Sequence, residues 1–341
     1  MDVILHIGAH RTATTSFQGY MRDNAPALAE AGIGFWGPRR VRGGVLTGVI
    51  PVPGPLSPAR QFDRARGRIA VNLARAEAQG TRQLVISEEN VPGSPRGNLR
   101  RQRLYPDAGL RMAAFAAAFD GRLTRIVLSV RALDQYWRSV LTFAVARGHP
   151  MPEAALLDRL VTQPRSWREV ICDLALAAPG VEILVLPHER FAGLPEHRLA
   201  RMLGRETAEG LPRTHARHWL NRAPDAATLR ALTGGPVMGG VPVRGAEEGL
   251  WQPFDGAQCA ALREVTQDDL FWLAAGAEGL ARLARDPWEG KELQDPAGTD
   301  RPGSGTGANG AATAGRIDPR ARLRRRGQGN DVEEGRLGQA G

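Results

Sequence analysis

Four short apolar runs, at residues 3–7, 84–87, 125–130 and 181–186, limit the folds open to this chain more than any other feature. Each is apolar through its middle, as expected of a strand covered on both faces. Between and around them lie segments of helical periodicity at 15–24, 61–79, 110–119, 133–147 and 165–178. Strand-length runs alternating with longer helical patterns are the signature of βαβ units. The sequence therefore predicts an α/β fold, a parallel β-sheet with helices on both faces in three layers. A last amphipathic helix is expected over 255–283, packed on the sheet. Segments 34–59 and 234–254 are rich in Gly and Pro with little periodicity, and are expected as long surface loops able to close over a ligand.

Composition sets the domain plan. With 341 residues, 42% of them hydrophobic and 24% charged, the chain can bury a sizeable core. One domain is expected over 1–288, followed at 289–341 by a Gly- and Arg-rich tail too poor in large apolar residues to fold. Within that tail, 298–315 reads as a flexible linker. The Arg cluster beyond it (Arg316, Arg320, Arg322, Arg324, Arg325, Arg326) holds a good part of the +9 formal charge, so that charge does not by itself indicate a specific nucleic-acid partner. Cys172 and Cys259 are the only cysteines and lack metal-ligand spacing, which predicts neither a zinc site nor a disulfide framework. No run approaches the roughly 18 apolar residues of a membrane helix, and the opening lacks the pattern of a secretory signal. A cytoplasmic protein is expected.

The first apolar run leads into Gly8-Ala9-His10-Arg11-Thr12-Ala13-Thr14-Thr15-Ser16 and then into a helix. A turn at a helix N-terminus presents unpaired backbone N–H groups and the positive end of the helix dipole, and the hydroxyls of Thr14, Thr15 and Ser16 are expected to add donors. This is a P-loop-type anion site. The triphosphatase form, G-x-x-x-x-G-K-[ST], requires a Lys where this chain has Thr14, so triphosphate hydrolysis is disfavoured. The loop's cation is Arg11, suited to a single 5′-phosphate.

The stretch from His6 to Gln18 fits H-I-G-x-H-[KR]-T-x-T-T-S-x-Q and resembles the 5′-phosphosulfate loop of the sulfotransferase superfamily, especially its bacterial branches. Arg11 replaces the usual Lys and Ala13 the usual Gly; if Ala13 needs a positive φ, its Cβ is strained. A second similarity lies at Ser129-Val130-Arg131 and Ser139, since in that family an Arg at this strand end and a Ser eight residues later bind the 3′-phosphate. Leu133 stands where the family usually has Pro. Segments 184–191 and 267–273 also look like family segments, so the resemblance spans 1–285. It implies a three-layer sulfotransferase-like sandwich that takes 3′-phosphoadenylyl sulfate (PAPS) as co-substrate without a metal. The nucleotide would be held by Arg11, Thr12, Ala13, Thr14, Thr15, Ser16, Arg131 and Ser139.

The resemblance also implies a mechanism. Arg11 would meet the negative charge growing on the departing bridging oxygen, assisted by loop N–H groups and Thr15. A general base is needed for an alcohol acceptor. Glu89, within Ser87-Glu88-Glu89-Asn90, matches a Glu in similar bacterial sequences reading I-S-x-E-N, with Glu88 and His10 as rivals. While the chain stays extended, at most one of the two glutamates faces the ligand. His6 is expected as a hydrogen-bonded core residue. The acceptor, a saccharide, glycolipid or other small hydroxyl or amine compound, is not fixed by the motifs. Two other classes stay open: a kinase-like phosphotransferase, and a non-catalytic nucleotide-binding protein of the same fold.

Overall fold

Strands form where the apolar runs predict them, and two further short strands complete the sheet. The computed structural model describes residues 1–233 and 249–287. Strands β1 (Asp2–His6), β2 (Ile33–Trp36), β3 (Gln83–Ser87), β4 (Arg125–Val130), β5 (Glu182–Pro187) and β6 (Arg282–Leu283) are ordered β2-β3-β1-β4-β5-β6. Every neighbouring pair is parallel.

Alternation along the strands divides the core in two. Val3, Leu5, Ile7, Leu84, Ile86, Ile126 and Leu128 point to one face, where they meet Ile69, Leu73, Phe115, Trp137, Val140 and Trp167. Those residues belong to the helices Pro58–Ala78, Ala108–Phe119, Leu133–Val145 and Trp167–Ala177. Ile4, Val85, Val127, Leu184 and Leu186 point to the other face, against Phe17, Tyr20 and Met21 of Thr14–Asp23 and Leu199 and Met202 of Pro195–Met202. Burial on both faces accounts for runs that are apolar throughout, each large side chain contributing about 1.5–3 kcal/mol.

Several expectations need correcting. The segment 34–59 is not simply a surface excursion. It begins within edge strand β2, whose Ile33 and Trp36 are both buried, and continues through short helical turns at Pro38–Arg40 and Val41–Val45. Val41, Val45, Leu46 and Val49 enter the main core. Four residues containing a Gly carry too little periodicity to register as a strand; a Cβ at Gly34 would lie only 2.9 Å from Thr81 Cγ2. The helix expected over 255–283 stops at Ala274, because Gly276 turns the chain at φ 100° and the remainder becomes a short 3₁₀ turn and β6. Part of the second expected loop, 234–248, lies outside the described residues, while Trp251 and Phe254 at its end are buried. Met1–Ala284 forms one unit and Arg285–Gly341 another. The expected tail at 289–341, with its Arg cluster, lies outside the described residues. Among the described residues, no helix is long and apolar enough to cross a membrane.

Candidate functional site

The sheet's connectivity fixes where a ligand can bind. The helix after β1, Thr14–Asp23, packs on one face, and the helix after the adjacent β4, Leu133–Val145, packs on the opposite face. Connections that part in this way open a crevice at the strands' carboxyl ends. The β1 chain stays bonded to β4 beyond the strand, through Ile7 N–H to Val127 O at 2.9 Å and Ala9 N–H to Ser129 O at 2.6 Å. The loops that carry Arg11 and Arg131 therefore leave the sheet side by side.

In the first loop, Arg11 and Ala13 both have positive φ, 63° and 59°. Ala13 is the N-cap of Thr14–Asp23 and makes no side-chain capping bond, and the first intrahelical bond is Phe17 N–H to Ala13 O. The N–H groups of Thr14, Thr15 and Ser16 thus have no carbonyl one turn back. The hydroxyls differ from expectation, since two of the three expected donors are used inside the chain. Thr14 Oγ1 donates to Ala9 O at 3.3 Å, and Ser16 Oγ donates to Leu220 O at 3.3 Å while accepting from Leu220 N–H. The buried Thr12 hydroxyl also donates to Ala9 O, at 2.6 Å. The first-turn backbone N–H groups and the Thr15 hydroxyl remain as the loop's other donors.

Arg11 and the β4 residues do converge. Arg11 Nε donates to Ser139 Oγ at 2.9 Å, and Arg131 Nη1 donates to the Arg11 carbonyl at 2.8 Å. The Arg11 guanidinium lies 5.0 Å from the Phe143 ring centre. Burial, with the charges of Arg131 and Arg147, lowers its pKa to about 10, so it remains a cation at neutral pH. Leu133 donates its N–H to Thr266 Oγ1 at 2.9 Å, a bond that a Pro at this position could not make. The carbonyl of Arg131 accepts from Trp167 Nε1 at 2.8 Å, and Trp167 N–H is held by Asp269 at 2.8 Å. Burial raises the Asp269 carboxyl to about 6.

At the end of β3 the chain turns after Ser87, so the alternation expected of an extended chain does not apply and both glutamates reach one cation. Arg42 grips Glu88 through Nε and Nη2, both at 2.8 Å, and bonds Glu89 Oε1 at 2.9 Å. Glu88 also accepts from Asn90 N–H, and Glu89 Oε2 accepts from Gln18 Nε2 at 2.9 Å. Burial together with the neighbouring Glu89 charge pushes Glu88 up in spite of Arg42. Burial also acts to raise Glu89, but the charge of Arg42 and the Gln18 amide hold Glu89 low. Glu89 packs against the loop: a Cβ on Gly8, which sits at φ 84°, would come within 3.2 Å of Glu89 Cβ. Gly is required at that position.

His10 is held at both ring nitrogens. Nε2 donates to Asn90 Oδ1 at 3.0 Å and Nδ1 accepts from the Tyr105 hydroxyl at 2.9 Å, while the His10 N–H donates to the same hydroxyl. Burial lowers its pKa to about 4, so it is neutral. His6 bonds Ser87 Oγ at 2.9 Å, in the core as expected, and burial lowers it to about 3.

The structure therefore gathers Arg11, Arg131 and Ser139 into one cluster and Glu88, Glu89, His10 and Gln18 into another, on either side of the loop after β1. Arg42, Tyr105 and Arg198, which contact these clusters or the loop, were not singled out by the sequence. Arg42 is one of three arginines within five residues, and nothing in that run marks the one that folds back onto β3. Among the described residues, no group of three or more His, Cys, Asp or Glu is placed to hold a metal ion. No family model, curated protein or solved structure matches the chain.

Proposed function

We propose that the protein is a PAPS-dependent sulfotransferase of the P-loop-type sandwich fold, acting on a hydroxyl or amine acceptor such as a saccharide or glycolipid. The observation that carries this reading is the meeting of the two motifs at one crevice: Arg131 on the Arg11 carbonyl at 2.8 Å and Arg11 on Ser139 at 2.9 Å. The parallel sheet sets the two loops side by side, and the support for the reading comes from the direct contacts that Arg11, Arg131 and Ser139 then make with one another. The chemistry of the donors also fits an anionic nucleotide, since they are N–H groups at a helix start, a hydroxyl and guanidinium forks.

When bound, PAPS would supply an activated sulfuryl group to the acceptor. Loop N–H groups and Arg11 would be the donors to the charge left on its 5′-phosphate side. Ser139 and Arg131 would hold the 3′-phosphate. Glu89, kept ionised and more open than Glu88, takes the acceptor proton, with Gln18 and Arg42 fixing its orientation. His10, neutral and bonded at both nitrogens, orients Asn90 instead of titrating.

Calorimetry with adenosine 3′,5′-bisphosphate against ATP and magnesium tests the binding half of this reading: micromolar bisphosphate binding with ATP ignored is expected, and the reverse overturns it. Radiolabelled sulfuryl transfer to an acceptor panel tests the rest, with Glu89→Gln expected to slow turnover about 10²- to 10⁴-fold. One observation favours a second reading, a nucleotide-binding protein without turnover: the Arg11 side chain is drawn to Ser139 and Phe143. Tight bisphosphate binding with no transfer to any acceptor would decide for it.

A further inference from the structure

A third arginine approaches the loop after β1 from within the core. Arg198, on the helix Pro195–Met202, is only 1% exposed, and its Nη2 donates to the Thr12 carbonyl at 3.0 Å. Its guanidinium lies 5.7 Å from the Phe17 ring centre, and its Nε and Nη1 are buried without a hydrogen-bond partner. No carboxylate pairs with it among the described residues. Arg165, comparably buried, shows the usual solution: it is bonded to Asp173 and to two main-chain carbonyls. A cation taken out of water without a counter-charge is strongly unfavourable, and one carbonyl dipole and an aromatic face offset only part of that. Burial lowers the Arg198 pKa only to about 10, so the charge persists at neutral pH.

The placement of this charge is informative. Arg198 bonds the carbonyl of the peptide that joins Thr12 to Ala13, and that peptide is trans. In a trans peptide the N–H points opposite to the C=O. Fixing the carbonyl on Arg198 therefore turns the Ala13 N–H away from the core, beside the first-turn N–H groups of Thr14, Thr15 and Ser16. The left-handed conformation at Arg11 and Ala13 belongs to this same short turn.

We propose that Arg198 is a positioning residue for the anion site: through the Thr12–Ala13 peptide it aims the loop N–H groups and places beneath them a buried positive charge that only a bound anion neutralises. The inference rests on reading the loop as an anion site. The charge costs stability in the empty protein and offsets ligand charge in the loaded one, so its removal moves folding and binding in opposite directions. A side chain with a merely structural role would move both the same way.

The test uses the full chain with Arg198→Met, which keeps the packing on Phe17, and Arg198→Lys, which keeps the charge. Thermal unfolding without ligand and calorimetry with inorganic sulfate and with adenosine 3′,5′-bisphosphate are compared. The expected result is a melting temperature for Arg198→Met at or above wild type, with both ligands weakened by a similar factor of about tenfold, and affinity restored to within about threefold by Lys. Unchanged affinity in Arg198→Met beside normal wild-type binding overturns the inference alone. So does an Arg198→Met chain that melts lower or fails to fold. Absence of binding by the wild type to either ligand overturns the anion site and the inference together.

Discussion

The two charged clusters that flank the loop after β1 are balanced in different ways. At the end of β3 the chain supplies its own counter-charge, with Glu88 and Glu89 sharing the fork of Arg42 and further donors from Asn90 and Gln18 closing the set. On the other side, Arg11 rests on a hydroxyl and an aromatic ring and Arg198 on a carbonyl and an aromatic ring. The acidic cluster is complete within the fold and contributes to holding it together. Among the described residues, no carboxylate pairs with Arg11 or Arg198. Buried charges of either sign are costly, so the difference separates charge that the fold itself neutralises from charge that it does not.

The strongest way to break this comparison is Arg42→Ala, which leaves the buried Glu88 and the half-buried Glu89 without their shared cation. A loss of about 3–5 kcal/mol in urea unfolding at pH 7 is expected, partly recovered by adding Glu88→Gln. A loss near zero would mean that the acidic cluster is no more structural than the basic one.

Acid should act next most strongly. His6 and His10 are held neutral in the fold, with pKa values lowered by burial to about 3 and about 4 from 6.5. The unfolded chain takes up these protons near pH 6.5 and the folded chain only near pH 3 to 4, so stability rises with pH across that window. It is full above pH 6.5 and is lost on acidification by up to a few kcal/mol. Glu88, pushed up in the fold, acts with the opposite sign just above its ordinary range and softens the loss. Denaturation series between pH 7.5 and 4.5 would show the slope, and His10→Gln should flatten it.

A smaller effect, on binding rather than folding, is expected at the basic cluster. Arg131→Ala should weaken adenosine 3′,5′-bisphosphate about 10- to 100-fold by calorimetry, as the loss of a charge-assisted fork predicts. The smallest is Ala13→Gly: a residue at φ 59° gains from losing its Cβ, by under about 1 kcal/mol, and a slightly higher melting temperature is the readout. A lower one would mean that the Ala13 methyl contributes packing that outweighs its strain.

Both kinds of charge were visible in the sequence, but their pairing was not. Short-range rules located β1, β3, β4, β5 and most of the long helices, because a strand buried on both faces is apolar residue by residue and a helix of three turns repeats its apolar face several times. Those rules fail for β2 and β6, whose four and two residues are too few to show a period; the burial of Ile33 and Trp36 in β2 comes from neighbours distant in the chain. The site follows the same division. The turn from β1 into a helix, with Arg11, Ala13, Arg131 and Ser139, is written in local residue order, since a helix start exposes N–H groups wherever it occurs. That Ala13 takes a left-handed conformation, that the Thr14 and Ser16 hydroxyls are used internally, and that Arg42 joins Glu88 to Glu89 depend on which segments the sheet brings together. Arg198 is the extreme case: 186 residues from Thr12, it has no motif around it, and only its burial without a counter-charge marks it. The sequence by itself determined the four longer strands, the long helices and the helix start after β1, because these rest on interactions a few residues apart. The tertiary structure alone decided which charges are neutralised, because a counter-charge is set by distance in space and not along the chain.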